Sequence, residues 1–266
     1  MHTSLCGHAV GNTTAYVEEA ARKGLQRITF TCHIPMRDPR FLQDGTRMRL
    51  HELPLYRELV ETARRHGERL GVEVLCGIEA EIHPHDAFME DMDALLRSEP
   101  FDFVLGSLHH MLPAFREWLQ ENGHTSDRDI VAAYFDCLST AARSGRYHSL
   151  AHPDVIRLYN TLQAPFLAEA HMEAIDHFLD AVQSAGICLE INTSGLIKGD
   201  FVVHPDPLIA AGALRRHIPF TIGSDSHRPE RVGDDFSTAI NTLRPLGLTS
   251  LTCFIGGQPT AFYLES

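Results

Sequence analysis

Lysine is almost absent from this 266-residue chain. Of 23 basic residues only Lys23 and Lys198 are lysines, and 35 acidic residues leave a formal net charge of −12. A general nucleic-acid binder needs a basic face, so this balance argues against one. Any phosphate on a substrate must then be held by metal ions or by a few placed Arg and Lys side chains. A membrane-length apolar run and a secretory leader pattern are also missing, which argues against a membrane partner. The six cysteines, Cys6, Cys32, Cys76, Cys137, Cys188 and Cys253, include no CxxC pair. Cys76, Cys188 and Cys253 fall in apolar strand-like runs and read as small buried hydrophobes. Scattered unpaired thiols suit a reducing cytoplasm.

What the chain has in excess is histidine, 17 residues, and the positions matter more than the number. The repeated beat is helix, strand, then an imidazole or a carboxylate. A helix capped by Thr13 or Thr14 ends at Gly24, strand 27–30 follows, and His33 lies just past it. The Pro- and Arg-rich loop 34–50 is long for a compact domain and so a functional candidate. Helix 53–70 leads to strand 72–78, with Glu79, Glu81 and His83 beyond its end. Helix 87–97 leads to strand 103–106, then His109 and His110. A polar loop over 118–126, helix 127–144 and strand 149–151 run into His152. Helix 167–185 precedes strand 187–191, which stops at Asn192. After helix 207–217, strand 219–222 ends in Gly223-Ser224-Asp225-Ser226-His227, and helix 236–243 with strand 250–255 completes the chain.

Strands separated by helices, about seven times over, predict a parallel sheet with helical crossovers. The length suits one domain over 1–266, and that many units favour closure into a barrel. Sites in such barrels lie at the C-terminal ends of the strands, where His33, Glu79, His109, His152, Asp225 and His227 are expected. Imidazole and carboxylate suit a divalent ion that keeps open positions for water. One carboxylate can bridge two ions about 3.5–4 Å apart, and Glu79 is the natural bridge. There are too many candidate ligands for one tetrahedral site, so two or three ions are expected.

Several stretches resemble a known family. They are His2-Thr3-Ser4-Leu5-Cys6-Gly7-His8-Ala9, Phe30-Thr31-Cys32-His33-Ile34-Pro35-Met36, Gly77-Ile78-Glu79-Ala80-Glu81, Gly106-Ser107-Leu108-His109 and Gly223-Ser224-Asp225-Ser226-His227-Arg228-Pro229. Together they look like the polymerase-and-histidinol-phosphatase (PHP) superfamily, and within it the histidinol-phosphatase group. The resemblance spans nearly the whole chain. It implies an α/β fold, a distorted (β/α)7 TIM-like barrel, and hydrolysis of L-histidinol phosphate in histidine biosynthesis by a metal-bridging hydroxide. It further implies two or three Zn, Fe or Mn ions. By position, His2, Glu79 and Asp225 would hold the first, Glu79, His109 and His152 the second, and His8, His33 and His227 the third. Asp225 or His227 would pass a proton to the departing alcohol. Arg157, Lys198 and Arg228 match phosphate-side basic positions, and Arg47, Arg49, Glu81 and His83 lie near the family's pocket.

Three departures from the pattern stand out. The family opens with His-x-His, and His2 is the second of the two. The first falls one residue ahead of Met1, together with most of the first barrel strand, so the expectation is either a start placed too late or a first metal site short of a ligand. Cys32 stands where the family has Asp, and it reads either as a soft ligand or, the favoured reading, as a change that alters how His33 is oriented. Ile197 replaces the basic residue expected after Leu196, leaving Lys198 to serve. The alternatives carried forward are a broader-specificity phosphoesterase of the same superfamily and a homologue impaired at the metal site. The remaining histidines read as surface or internally satisfied groups, with His83 and His110 set apart because they follow ligands. Asn192 reads equally as a hydrogen-bonder behind the site or a strand terminator. The oligomeric state is not legible.

Overall fold

A computed structural model describes residues 1–42, 45–198 and 202–264. Six parallel strands form one curled sheet in the order β1-β2-β3-β4-β5-β6: β1 Arg27–Phe30, β2 Glu73–Glu81, β3 Phe103–Ser107, β4 Ser149–Leu150, β5 Cys188–Asn192 and β6 Phe220–Gly223. Helices α1 Thr13–Arg22, α2 Leu53–Leu70, α3 Asp86–Ser98, α4 Pro113–Glu121, α5 Asp127–Arg143, α6 Met172–Ala185, α7 Pro207–Arg215 and α8 Phe236–Leu243 accompany them. The α/β expectation holds, with one difference in count. The seventh strand, β7 Ser250–Ile255, pairs antiparallel with β8 Gln258–Tyr263 instead of joining the sheet. β8 is exposed at every position, so no alternation of apolar residues announces it.

Other differences are local. Asn12, not Thr13 or Thr14, caps α1 by accepting from Ala15 N at 2.8 Å, because Asn offers its oxygen one residue earlier. The stretch around Trp118 is helical within α4, started by Pro113, whose fixed φ and missing N–H suit a first turn. Strand β2 runs through Glu79 and Glu81 rather than stopping before them. Side chains alternate along a strand, so these two carboxylates share one face, with Glu79 opposite Leu105 and Glu81 opposite Ser107.

The core is continuous from α1 to β7, with Tyr16, Tyr56, Tyr134 and Phe135 among its largest buried side chains. Tyr56 donates its hydroxyl to the carbonyls of Phe30 and Gly77, tying α2 across the first two strands. The sheet edges β1 and β6 do not pair with each other. Two residues bridge them at the C-terminal end. Thr31 N donates to Met1 O at 2.8 Å, and His2 N donates to Ser226 O at 3.0 Å. Below that bridge a cavity of about 850 Å³ runs between the edges, lined by Ile28, Thr29, Thr221, Phe236 and Leu251 among others. No helix among the described residues is long and apolar enough to cross a membrane.

Candidate active site

Glu79 is the centre. It is 4 % exposed, and its two oxygens face different imidazole pairs. Oε2 lies 2.9 Å from His33 Nδ1 and 3.5 Å from His2 Nε2. Oε1 lies 3.5 Å from both His109 Nε2 and His152 Nε2. Burial alone would raise this carboxyl, yet the facing His33, His152 and His109 rings hold it well below the usual carboxylate range. An anion among four imidazoles in a dry site is the donor arrangement expected of a carboxylate shared between two cations.

Each ligand candidate reaches this point from a strand end or the turn beside it. His33 follows β1 and forms an isolated parallel bridge with Glu79. His152 follows β4 with φ of 24°, and Asp225 follows β6 with φ of 49°. Such left-handed backbone costs on the order of 1–3 kcal/mol in a non-glycine residue and persists where the surroundings impose it. The curl at Asp225 lets both it and His227 face the mouth. Gly223, two residues earlier, leaves room for the Glu190 carboxylate: a Cβ there would stand 2.2 Å from Glu190 Oε1, so that side chain would have to move. Gly7 is required: its φ is 77° and a Cβ would stand 2.0 Å from Gly45 O. That turn sets His8 beside His227, with ring centroids 4.4 Å apart.

Asp225 accepts from His2 Nε2 at 3.0 Å and from Lys198 Nζ at 2.7 Å. Burial would raise its carboxyl, but Lys198 and the His2 hydrogen bond hold it well below the usual range. His2 itself is pushed up to about 9, because the Asp225 and Cys32 contacts and the Glu79 charge outweigh burial. His227 moves the other way, down to about 3, through burial and the neighbouring His2 charge. In this arrangement Asp225 is ionised and His227 is neutral.

The predicted substrate-side residues separate into three groups. Lys198 sits at the mouth, on Asp225. Arg47 and Glu81 are buried against each other, and Glu81 also accepts from His109 Nδ1 at 2.8 Å. Arg47 gives its other donors to the Phe41 and Ile34 carbonyls. Arg157 is equally engaged, with Asp154 Oδ2 at 2.8 Å and the Val202 and Val203 carbonyls. Arg49 and Arg228 are exposed, and Arg228 lies 4.0 Å from Glu230. His83 is buried edge-on to Phe41 and Phe88.

Several participants were not marked by the sequence. Glu190, one face-period before Asn192, accepts from His152 N at 3.3 Å and from Asn192 Nδ2 at 2.8 Å, and burial raises its carboxyl. Asn192 also accepts from Ser194 N, so it both supports the site and ends the strand. Asp154 binds His204 Nδ1 at 2.7 Å, and His204, fully buried, stands 6.2 Å from the His152 ring. His110 is an ordinary core histidine, held by Thr161 and the Val155 carbonyl. The available signal for Glu190 was a lone acid in an apolar strand. Cys32 is fully buried and accepts from Thr3 N and Oγ1 at 3.5 and 3.3 Å, a sulfur packed behind the imidazoles.

The donor set suits divalent metal. It contains six imidazoles and two carboxylates, with Nδ1 of His2 and His152 and Nε2 of His227 buried and lacking hydrogen-bond partners among the described residues, and three-donor groups such as His33, Glu79 and His109. Comparisons with known proteins place the chain in a family. The PHP domain model matches residues 1–194. A Deinococcus radiodurans protein named "Probable histidinol-phosphatase" is 32% identical over 95% of this chain and 94% of its own. The Bacillus subtilis histidinol-phosphatase is 26% identical over 88% of this chain and 94% of its own. The solved structure of a Lactococcus lactis histidinol phosphate phosphatase, in complex with zinc, L-histidinol and phosphate, superposes with a TM-score of 0.79 at 21% identity, covering 98% of this chain and 97% of that one.

Proposed function

Since the chain belongs to the PHP domain family, we propose that it is a metal-dependent phosphomonoesterase that hydrolyses L-histidinol phosphate to L-histidinol and phosphate. The observation that carries this reading is the division of Glu79 between two imidazole pairs. His2, Glu79 and Asp225 would hold one ion and Glu79, His109 and His152 a second, with His8, His33 and His227 belonging to a third. Zn, Fe or Mn suits the set. Bound divalent ions would supply an activated water and neutralise charge developing on the phosphoryl oxygens.

The protein's own residues do the placing. Lys198 holds Asp225 ionised and presents a cation at the mouth, where a phosphate oxygen can share it. Asp225 or His227, both at the mouth, is the group placed to pass a proton to the departing alcohol. His227 has its Nδ1–H committed to the Asp225 carbonyl, which leaves an acceptor at Nε2. Arg47 acts through Glu81, whose carboxylate fixes the tautomer of His109 so that Nε2 faces Glu79. All six cysteines are free thiols, in keeping with a cytoplasmic enzyme, and the acidic surface argues for a small phosphate ester over nucleic acid.

The test is a comparison of kcat/KM across phosphomonoesters with metal-replete protein. Histidinol phosphate is expected to be the preferred substrate, and chelation to abolish turnover. A higher kcat/KM for another phosphate ester would sink the substrate assignment in favour of the broader-specificity reading.

A further inference from the structure

Two neighbouring buried imidazoles carry complementary nitrogens. His152 turns Nε2 toward Glu79 Oε1 at 3.5 Å and Ser107 Oγ at 3.3 Å. Its Nδ1 is buried and has no hydrogen-bond partner among the described residues. His204 is fully buried, with its ring centroid 6.2 Å from that of His152 and the two planes at 66°. Its Nε2 is likewise buried and unanswered among the described residues.

The surroundings fix what each nitrogen must be. Asp154 Oδ2 accepts from Asp206 N and from Arg157 Nη1, both at 2.8 Å, while Oδ1 meets His204 Nδ1 at 2.7 Å. A carboxylate so surrounded by donors is an acceptor throughout, so the His204 proton is on Nδ1 and Nε2 keeps a lone pair. The opposite holds at His152. A neutral imidazole that binds an ion through Nε2 carries its proton on Nδ1 and needs an acceptor for it. Glu190 does not serve there, because it takes the main-chain N–H of His152 at 3.3 Å.

We propose that His204 is a positioning residue for His152: its Nε2 accepts the His152 Nδ1–H through one shared water, which holds His152 Nε2 on the ion shared with Glu79 and His109. The inference rests on the metal-dependent reading above and deepens it.

Three physical points support it. The ring separation is too wide for a direct hydrogen bond and suits a single water with one partner on each side. Next, His204 is held in place. It exchanges both main-chain hydrogen bonds with Asn192 at the end of β5, at 2.7 and 3.0 Å, and its ring lies so close to Gly195 that a Cβ there would stand 2.9 Å from His204 Cδ2. Lastly, the arrangement completes a pair. His109, the other imidazole on Glu79 Oε1, is already held from behind by Glu81 at Nδ1, and His204 gives His152 the equivalent support.

The experiment titrates zinc-loaded full chain with a competing chelator. His204→Phe removes both nitrogens, whereas His204→Gln offers an amide N–H to Asp154 and a carbonyl oxygen toward His152. In His204→Phe one class of bound zinc is expected to weaken about 10–100-fold with the rest unchanged, and His204→Gln is expected to restore most of that loss. Zinc held as tightly in His204→Phe as in the parent would overturn the inference alone, as would a uniform weakening of all bound zinc or an equal loss in His204→Gln. An unaltered chain that binds no zinc would remove the metal-dependent reading and this inference with it. Should His204→Phe not fold, long-range ¹⁵N–¹H correlation spectra of the zinc-loaded parent decide, with the His204 signals identified by their loss in His204→Gln. His204 protonated on Nδ1 alone is expected, and a proton on Nε2 would overturn the proposal.

Discussion

Two buried networks meet at Glu79 and are built on opposite terms. On one side Arg47, Glu81 and His109 satisfy one another: Glu81 accepts from both neighbours, and Arg47 spends its remaining donors on carbonyls. On the other side the rings of His2, His8, His33 and His227 cluster at separations from 4.0 to 6.3 Å, with buried nitrogens, Nδ1 of His2 and Nε2 of His227, that no described residue answers. Both regions are buried and charged, so burial does not tell scaffold from site. Satisfaction does. A buried polar atom left without a partner costs roughly 1–3 kcal/mol, and a chain keeps several such atoms together where a cation will answer them.

The largest test breaks both networks at their shared residue. Glu79→Gln removes the charge that faces four imidazoles, and kcat/KM with saturating metal should fall on the order of 10³-fold or more, the rate equivalent of about 4 kcal/mol of lost charge stabilisation. Circular dichroism should show an intact fold. Activity within tenfold of the parent would mean that Glu79 bridges nothing.

The second test separates the networks by stability. Arg47→Met leaves Glu81 buried without its main cation, and truncating one partner of a buried pair costs about 3–5 kcal/mol. His227→Ala in metal-free protein removes an unanswered nitrogen and should cost under about 1 kcal/mol. Urea midpoints at equal m-values measure both. If His227→Ala costs as much as Arg47→Met, the open side is scaffold after all.

Acid titration sharpens the same contrast. Burial would raise the Glu81 carboxyl, yet Arg47 and His109 bring it down to about 2. A depressed carboxylate contributes stability that is complete above its unfolded pKa of about 4.3 and is lost as pH falls toward the folded value. Metal-free protein should therefore lose stability between about pH 4.5 and 2, and Glu81→Gln should flatten that limb from a lower plateau. An unchanged slope in the variant would assign the acid sensitivity to other groups.

The contrast also explains what could be read without the fold. The ligand candidates were legible because chemistry recurs at strand ends, a position fixed by architecture. The six strands of the sheet were legible from short apolar runs, and β8 was not, because an exposed strand buries no face to write a pattern. Arg157 illustrates the harder case: an arginine five residues past His152 looks free to meet phosphate. Its actual partners, Asp154 and the Val202 and Val203 carbonyls, include two brought in from about 45 residues away. Glu190 and His204 were missed for the same reason, since satisfaction is a property of partners distant in sequence.

The smallest expected effect concerns the cations that no network uses. Arg228 follows His227 directly, and sequence position alone makes it a phosphate candidate. Its side chain is 63% exposed, and its nearest carboxylate, on Glu230, is 4.0 Å away. Exposed pairs at that range contribute about 0–1 kcal/mol. Arg228→Ala should leave the unfolding midpoint within about 0.5 kcal/mol and should change KM for histidinol phosphate less than Lys198→Ala does, because Lys198 is anchored on Asp225 whereas Arg228 must give up solvent and rotamer freedom to reach a ligand. The informative readout is the split between kcat and KM. A KM increase in Arg228→Ala as large as in Lys198→Ala, with kcat unchanged, would place the exposed arginine in the bound complex and extend the site beyond the partners that the buried networks define.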